Sequence, residues 1–153
     1  MKMFYAEFEV RWSDIDANQH LRNTAYSELA NQARVKALEE IGLSFQTLSA
    51  RKLGPVLFRE ELIFIQEFRL SEKIIIRSKL DWVYPGGKTW RFTHDILKEN
   101  GTKAATVISE GSFMCLVIRK IQLLPEDLTK KLDFLSLNYS ENQELANNEK
   151  QTC

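Results

Sequence analysis

The sequence predicts an α+β domain in which an antiparallel sheet packs against one long helix. Residues 3 to 12 alternate between apolar and polar side chains, which is the period of a half-buried strand. Residues 24 to 41 instead repeat apolar side chains every three or four positions, as one face of a helix does. Four more strand-like segments follow with only short turns between them, and such runs of hairpins form antiparallel sheets.

Size and composition agree with one globular domain. A chain of 153 residues buries roughly two-thirds of its unfolded surface, which is enough for a core. We expect a single domain over residues 1 to 135 and a disordered tail over residues 136 to 153, because the tail is polar and poor in aromatic residues.

Charge and apolar runs limit the partners and the compartment that we expect. Lys and Arg together number 21, as do Asp and Glu, so there is no general electrostatic reason to bind nucleic acid or an anionic membrane. No apolar run approaches the ~20 residues of a membrane helix, and acidic residues interrupt the N-terminal segment before any signal-peptide core. Two cysteines, Cys115 and Cys153, cannot form a disulfide framework or a four-cysteine zinc site. We therefore expect a cytoplasmic protein.

The first strand and the helix after it have clear patterns. The apolar face of the strand is predicted to hold Phe4, Ala6, Phe8, Val10 and Trp12. The helix stripe holds Tyr26, Ala30, Ala33, Ala37 and Ile41. Three of these residues are Ala, so the helix backbone can approach its support closely and we expect it to lie flat against the sheet. Asn23 or Thr24 can cap its start, and Gly42 is placed for a left-handed C-terminal cap.

The remaining chain is predicted to form four strands and one short helix. The strand segments are 57 to 69, 73 to 84, 88 to 98 and 103 to 119. The residue types of Pro85, Gly86 and Gly87 indicate a turn, and Asn100-Gly101 is a strong hairpin signal. Pro125 is suited to the first turn of a helix that continues to about residue 134.

The polar loop between the first strand and the helix holds the residues most suited to catalysis. Its sequence over residues 11 to 23 is RWSDIDANQHLRN, with two carboxylates, a carboxamide and one of the two histidines of the chain. Loops between rigid elements often carry catalytic groups. The following helix start supplies unpaired backbone N–H groups that suit a developing oxyanion, and a nearby carboxylate can act as general base or nucleophile.

Other interpretations of the same loop were weighed. Asp14, Asp16 and Asn18 imitate the start of an EF-hand, but Gln19 and Ala25 stand where that loop requires Gly and Glu, so no calcium site is expected. A zinc site needs more His or Cys than the chain clusters together. The two carboxylates can instead form Asx-turns and cap the helix, and at least one of them is expected to be structural.

The loop resembles the motif of the hot-dog-fold acyl thioesterases, the 4-hydroxybenzoyl-CoA thioesterase group. Its residue pattern is closest to the acyl-ACP thioesterase form of the motif, S-D-x-D-x-N-x-H-x-N-N-x-x-Y. The residues in register are Ser13, Asp14, Asp16, Asn18, His20, Asn23 and Tyr26. Arg22 departs from the motif, because it occupies the place of the first Asn of the N-N pair. The resemblance in element order covers residues 3 to 135.

The resemblance implies a fold, an assembly and a set of site residues. A hot-dog fold wraps a curved antiparallel sheet of about five strands around one long central helix. In such proteins two subunits pair and the active sites lie at their interface, so a homodimer or a tetramer of dimers is implied. The catalytic carboxylate of benzoyl-type relatives corresponds to Asp16, and the backbone N–H that polarises the thioester carbonyl lies near Asn23. Acyl-ACP-type relatives also implicate Asn18 and His20.

The implied reaction is hydrolysis of an acyl-CoA or acyl-ACP thioester, which needs no metal or redox cofactor. Asp16 attacks the carbonyl or activates a water, and His20 orients Asp16 or is itself the base, since His titrates near neutrality. Asp16 ranks first, because it fills the benzoyl-type carboxylate position unambiguously. Among lower-ranked residues, Tyr26 is a candidate for acyl binding. A set of three apolar residues is a candidate either for an acyl tunnel or, by preference, for the core: Val56, Leu57 and Phe58. Lys88 is a candidate for carrier phosphate or for solvated surface charge. His94 and Cys115 are expected to be buried packing residues.

Two other functions on the same fold remain as alternatives. A hot-dog hydratase or dehydratase typically carries D-x-N-P-x-H, whereas Asp16 and His20 are four positions apart with no Pro between them. A non-catalytic binder of acyl thioesters is disfavoured by the presence of both residues, although a fold alone does not determine function.

Overall fold

The computed structural model describes residues 2–133, so the predicted tail at 136 to 153 lies outside the described residues. The sheet strands are β1 Phe4–Glu9, β2 Leu53–Phe64, β3 Lys73–Val83, β4 Trp90–Lys98, β5 Lys103–Cys115 and β6 Lys120–Ile121. The α-helices are α1 Asn23–Glu40, α2 Phe45–Ala50 and α3 Glu126–Asp133. Short 3-10 turns occupy Trp12–Asp14 and Pro85–Gly87. No helix within residues 2–133 is long and apolar enough to cross a bilayer.

The strands form one antiparallel sheet in the order β1-β3-β4-β5-β2, with the short β6 paired to β5. The consecutive strands β3, β4 and β5 are neighbours, whereas β2 pairs with β5 and forms an edge of the sheet. The sheet curves around α1, and the predicted hot-dog fold is confirmed.

Helix α1 packs on the sheet through the predicted stripe of small residues. Ala30, Ala33 and Ala37 are buried, and they bring the helix backbone close to β-sheet side chains such as Ile76 and Phe92. His94 is fully buried on β4, where it stacks on Phe92 with ring planes 3° apart. The expectation that His94 is a packing residue is therefore confirmed.

The two ends of α1 differ in how well they were predicted. Gly42 has φ of +79°, and its N–H donates to the carbonyl of Glu39, as expected of a left-handed C-terminal cap. The N-terminal cap was expected at Asn23 or Thr24, but the helix begins at Asn23 with Arg22 in the cap position and without a side-chain cap hydrogen bond. The first turn of the helix thus retains exposed backbone donors.

Four local predictions were wrong in extent or orientation, one of them being the end of β5, which lies at Cys115 rather than residue 119. Trp12 was expected on the apolar strand face, but it lies in a 3-10 turn and is 80% exposed, because the chain leaves the sheet after Glu9. β2 begins at Leu53 and includes Pro55, which an edge strand accommodates. β2 ends at Phe64 rather than residue 69, since the N–H groups of Ile65 and Gln66 both donate to the carbonyl of Ala104.

Candidate active site

A cavity of about 490 Å³ lies at the N-terminal end of α1, between the polar loop and the end of β2. Five of the residues singled out in the sequence line it: Asp16, Asn18, His20, Asn23 and Tyr26. The other lining residues are Leu21, Phe64, Ile65, Gln66 and Glu67. The structure thus brings the polar loop, the helix start and the end of a distant strand to one place.

Asp14 anchors the loop through contacts with Arg11 and does not line the cavity. Its carboxylate is buried and accepts hydrogen bonds from Nε and Nη2 of Arg11, each at 2.9 Å, and from the Arg11 backbone N–H at 3.3 Å. The side-chain hydrogen bonds from Arg11 hold the pKa of Asp14 below its usual value. Asp14 is therefore the structural carboxylate of the pair.

Arg22, the residue that departs from the thioesterase motif, connects Asp14 to helix α1. Its Nη2 lies 3.0 Å from Glu28 Oε2 on α1 and 3.7 Å from Asp14 Oδ1. The N–H of Arg22 also donates to the carbonyl of Asp14 at 2.8 Å. Arg22 thus links the loop to the first turns of α1, a contact that an Asn side chain is too short to make.

Asp16 faces the cavity and is held by its own loop. Its Oδ1 accepts from the N–H of Asn18 at 2.8 Å, which forms an Asx-turn. The loop closes through a hydrogen bond from the N–H of Asp16 to the carbonyl of His20, and Gln19 has φ of +64°. With 29% of its side chain exposed, Asp16 is accessible to a ligand in the cavity.

His20 lies beside Asp16 with a defined ring nitrogen toward it. Nδ1 is 3.4 Å from Asp16 Oδ2 and 3.3 Å from the carbonyl oxygen of Leu21. Both neighbours are acceptors, so the proton of a neutral His20 belongs on Nδ1 and Nε2 carries the lone pair. The arrangement allows His20 to orient Asp16 or to accept a proton at Nε2.

The start of α1 supplies the electrophilic side of the cavity. Within residues 2–133, the N–H groups of Asn23 and Thr24 have no hydrogen-bond acceptor, and Asn23 lines the cavity. Free N–H groups at a helix N-terminus, together with the helix dipole, stabilise negative charge on a ligand oxygen. A carbonyl oxygen placed there would be polarised.

Aromatic and aliphatic side chains form the opposite wall. Tyr26 contacts Phe64 edge to face, with ring centroids 5.1 Å apart, and Leu21 and Ile65 complete the apolar surface. Burial, followed by the negative charges of Glu67 and Asp16, raises the pKa of Tyr26 to about 12. The Tyr26 hydroxyl is therefore a hydrogen-bond donor at any physiological pH.

The cavity does not include every predicted site residue. Val56, Leu57 and Phe58 lie near the other end of β2, and Lys88 is an exposed residue beside the 3-10 turn at Pro85–Gly87; none of the four lines the cavity. The cavity lining also includes five residues that the sequence did not predict: Leu21, Phe64, Ile65, Gln66 and Glu67. The last four belong to a segment that the sequence treats as strand, and nothing in its pattern shows which end meets the loop.

Residues 2–133 contain no group of three or more His, Cys, Asp or Glu side chains arranged to hold a metal ion. The calcium-like spacing of Asp14, Asp16 and Asn18 does not produce converging ligands, because Asp14 is bonded to Arg11 while Asp16 faces the cavity.

Comparisons with solved structures support the fold. DHNA-CoA thioesterase from Staphylococcus aureus is 16% identical with a TM-score of 0.80, over 88% of this chain and 93% of that one. YbaW probable thioesterase from Escherichia coli is 24% identical with a TM-score of 0.72, and the match covers 86% of this chain and 98% of YbaW. The S. aureus protein SAV2348, solved in complex with CoA, is 16% identical with a TM-score of 0.80, and the match covers 98% of this chain and 96% of SAV2348.

The comparison with curated proteins found no match. The family model described as thioesterase-like superfamily matches residues 10–132, which is most of the chain and includes the loop, the central helix and every long strand after it. This family indicates thioester hydrolysis as the general class of reaction. The chain is therefore a member of the thioesterase-like superfamily with a hot-dog fold.

Proposed function

We propose that this protein hydrolyses an acyl-CoA or acyl-ACP thioester to a free acid and a thiol. The observation that carries the proposal is the shared cavity of the Asp16 carboxylate and the uncapped start of α1. One group can activate or supply a nucleophile, and the other can stabilise the oxyanion that the attack creates. The family match and the CoA complex of a similar structure support the same substrate class.

The chemistry follows from these two groups. The thioester carbonyl oxygen accepts a hydrogen bond from the N–H of Asn23, which makes the carbonyl carbon more electrophilic. Asp16 removes a proton from a water that adds to this carbon, or adds to it directly and forms an anhydride that water then cleaves. In either route the C–S bond breaks, the thiolate leaves, and it gains a proton to give the thiol.

A panel of acyl-CoA thioesters tests the reaction type. Release of free thiol, followed with a thiol reagent, is the expected result. Hydration of an enoyl-CoA without thiol release would instead identify a hydratase, and binding without either reaction would identify a non-catalytic acyl-thioester protein. Acyl-ACP substrates with the same acyl groups then separate the two carriers by kcat/KM.

A comparison of two substitutions tests the role of His20. We expect His20→Ala to lower kcat by about tenfold or more, because Asp16 loses the ring nitrogen that lies 3.4 Å from its Oδ2. His20→Asn places an amide N–H near the position of Nδ1 and should retain more activity than His20→Ala. Equal loss in both variants would contradict an orienting role and indicate that Nε2 is the base.

We further propose that two copies of the chain pair through β2. Within residues 2–133, this strand is a sheet edge with one unpaired side, and it carries exposed apolar side chains. These are Leu57, Phe58, Ile63 and Phe64, with Ile65 directly after the strand. Exposed apolar edges of this kind are candidates for strand pairing with another chain. Residues 64 to 67 also line the cavity, so pairing here would bring the partner close to the site.

The oligomeric state tests this pairing. Light scattering should give at least a dimer for the unmodified protein at micromolar concentration. Ile63→Glu should shift it toward the monomer, because two-fold pairing brings like charges to the edge. The control is Val35→Glu, which changes a similarly exposed aliphatic residue on α1 and should leave the oligomeric state unchanged. A monomeric unmodified protein would contradict the proposal.

A further inference from the structure

Past the cavity, the space between α1 and β2 is crossed by a hydrogen bond between polar side chains. Ser27 lies one helical turn after Asn23, and its hydroxyl donates to Glu60 Oε2 on β2. Glu60 Oε1 is 3.4 Å from the hydroxyl of Ser109 on β5, which also donates to it. Ser27 and Glu60 do not line the cavity, whose apolar wall ends at Tyr26 and Phe64.

A buried cation lies farther along the same side of α1. Arg34 is only 8% exposed, and its Nη2 donates to Asn31 Oδ1 at 2.5 Å while the guanidinium lies 5.2 Å from the ring centre of Trp90. No carboxylate oxygen of the described residues is within 4.0 Å of Arg34, and its buried Nη1 has no partner. Burial lowers the pKa of Arg34, and the charge of Glu60 opposes that shift.

An acyl chain that ran along α1 from the cavity would meet these polar groups. Residues 23, 27, 31 and 34 are three or four positions apart and so share one helix face. With a rise of 1.5 Å per residue, Ser27 is about 6 Å beyond Asn23 along the axis and Arg34 about 16 Å. A long alkyl chain whose carbonyl sits at Asn23 would have to displace the Ser27–Glu60 contact and pack against a carboxylate and a guanidinium.

We infer that Glu60, held by Ser27 and balanced by Arg34, limits the acyl group to a short or compact acid. The inference rests on the proposed thioesterase function and names its substrate class. Burying hydrocarbon against charged groups removes their solvation without replacing it, so long saturated chains are disfavoured. A butanoyl or benzoyl group packed against the apolar wall of Tyr26, Phe64 and Leu21 would end before it reached Glu60 and Arg34.

The length dependence of hydrolysis tests this inference. For the unmodified protein, kcat/KM for hexadecanoyl-CoA should be at least about tenfold below that for butanoyl-CoA or benzoyl-CoA, each used below its micelle concentration. The double variant Arg34→Met/Glu60→Leu removes both charges together, which avoids leaving one of them buried alone. It should raise the hexadecanoyl to butanoyl ratio about tenfold or more.

A carboxylate outside β2 provides the control. Glu40→Leu changes an exposed residue at the C-terminal end of α1, which pairs with Lys2, and it should leave the ratio unchanged. Ser27→Ala removes only the hydrogen bond to Glu60 and should change the ratio in the same direction as the double variant, by less. This single variant keeps the test available if the double variant fails to fold.

Binding measurements separate failure of this inference from failure of the proposed function. Calorimetry with Asp16→Asn gives acyl-CoA affinities without turnover, and it should show weaker binding of hexadecanoyl-CoA than of benzoyl-CoA. Equal or tighter binding of the long chain, or faster hydrolysis of it by the unmodified protein, overturns the length limit alone. If the protein hydrolyses none of the acyl thioesters, the proposed function is wrong, but the binding series still tests the length limit. If it binds none of them, both the function and the length limit are wrong.

Discussion

Asp16→Asn is expected to lower kcat/KM at least about a hundredfold, the range lost with a catalytic acid or base. The amide keeps the shape of the carboxylate and can still accept from the N–H of Asn18, so the loop should persist. It lacks the negative charge needed to deprotonate water or to attack a carbonyl. Stopped-flow release of thiol from a preferred acyl-CoA measures the effect.

Two measurements make the Asp16→Asn result decisive. The urea midpoint should match that of the unmodified protein, which shows that the loss is chemical. Asp127→Asn, which changes an exposed aspartate on α3 paired with Arg51, should retain full activity. Near-normal turnover in Asp16→Asn would remove Asp16 from the mechanism and leave His20 Nε2 and the Glu67 carboxylate as candidate bases in the cavity.

Asp14→Ala should differ from Asp16→Asn, because its main effect should be on stability and not on catalysis. This buried carboxylate accepts three hydrogen bonds from Arg11, so its loss should lower the free energy of unfolding by about 1–3 kcal/mol. Activity should also fall, because Arg22 and the loop lose their anchor, but by less than in Asp16→Asn. Urea unfolding at neutral pH measures the stability difference.

The pH dependence of that difference has a defined sign. The pKa of Asp14 is lower in the folded protein than its usual value near 4, so the contribution to stability is complete above that value. It is lost as the pH falls through the lower folded pKa. The gap between the unmodified protein and Asp14→Ala should therefore narrow below about pH 4. A gap that stays constant between pH 6 and pH 3 would contradict the assigned role of Asp14.

Local pattern was sufficient to predict most of the elements, because helix and strand periods are properties of short segments. The alanine stripe predicted how α1 lies on the sheet, and Gly42 ended the helix where its residue type indicated. The spacing of Asp16, Asn18, His20 and Asn23 predicted a single site, since a loop of this length before a helix keeps those residues near its N-terminus.

Other features depended on contacts between residues far apart in the chain. The position of β2 at the sheet edge follows from its pairing with β5, about fifty residues later, and this pairing brings Phe64 and Glu67 to the loop. Val56, Leu57 and Phe58 belong to the same strand but lie toward its opposite end. Alternation of side chains shows which face of a strand is buried and not what its ends approach.

By itself, the sequence determined the central helix, the five main strands, the hot-dog family and the loop that carries the candidate site, but it did not predict α2 or β6. Residue types and spacing alone could not distinguish the two aspartates of that loop, and only the family resemblance ranked Asp16 first. The tertiary structure decided their environments, by placing Arg11 and Arg22 against Asp14 and leaving Asp16 open to the cavity. The physical reason is that the environment of a carboxylate is set by neighbours that folding brings together, and that environment distinguishes a carboxylate bonded to arginine from one that is open to a ligand.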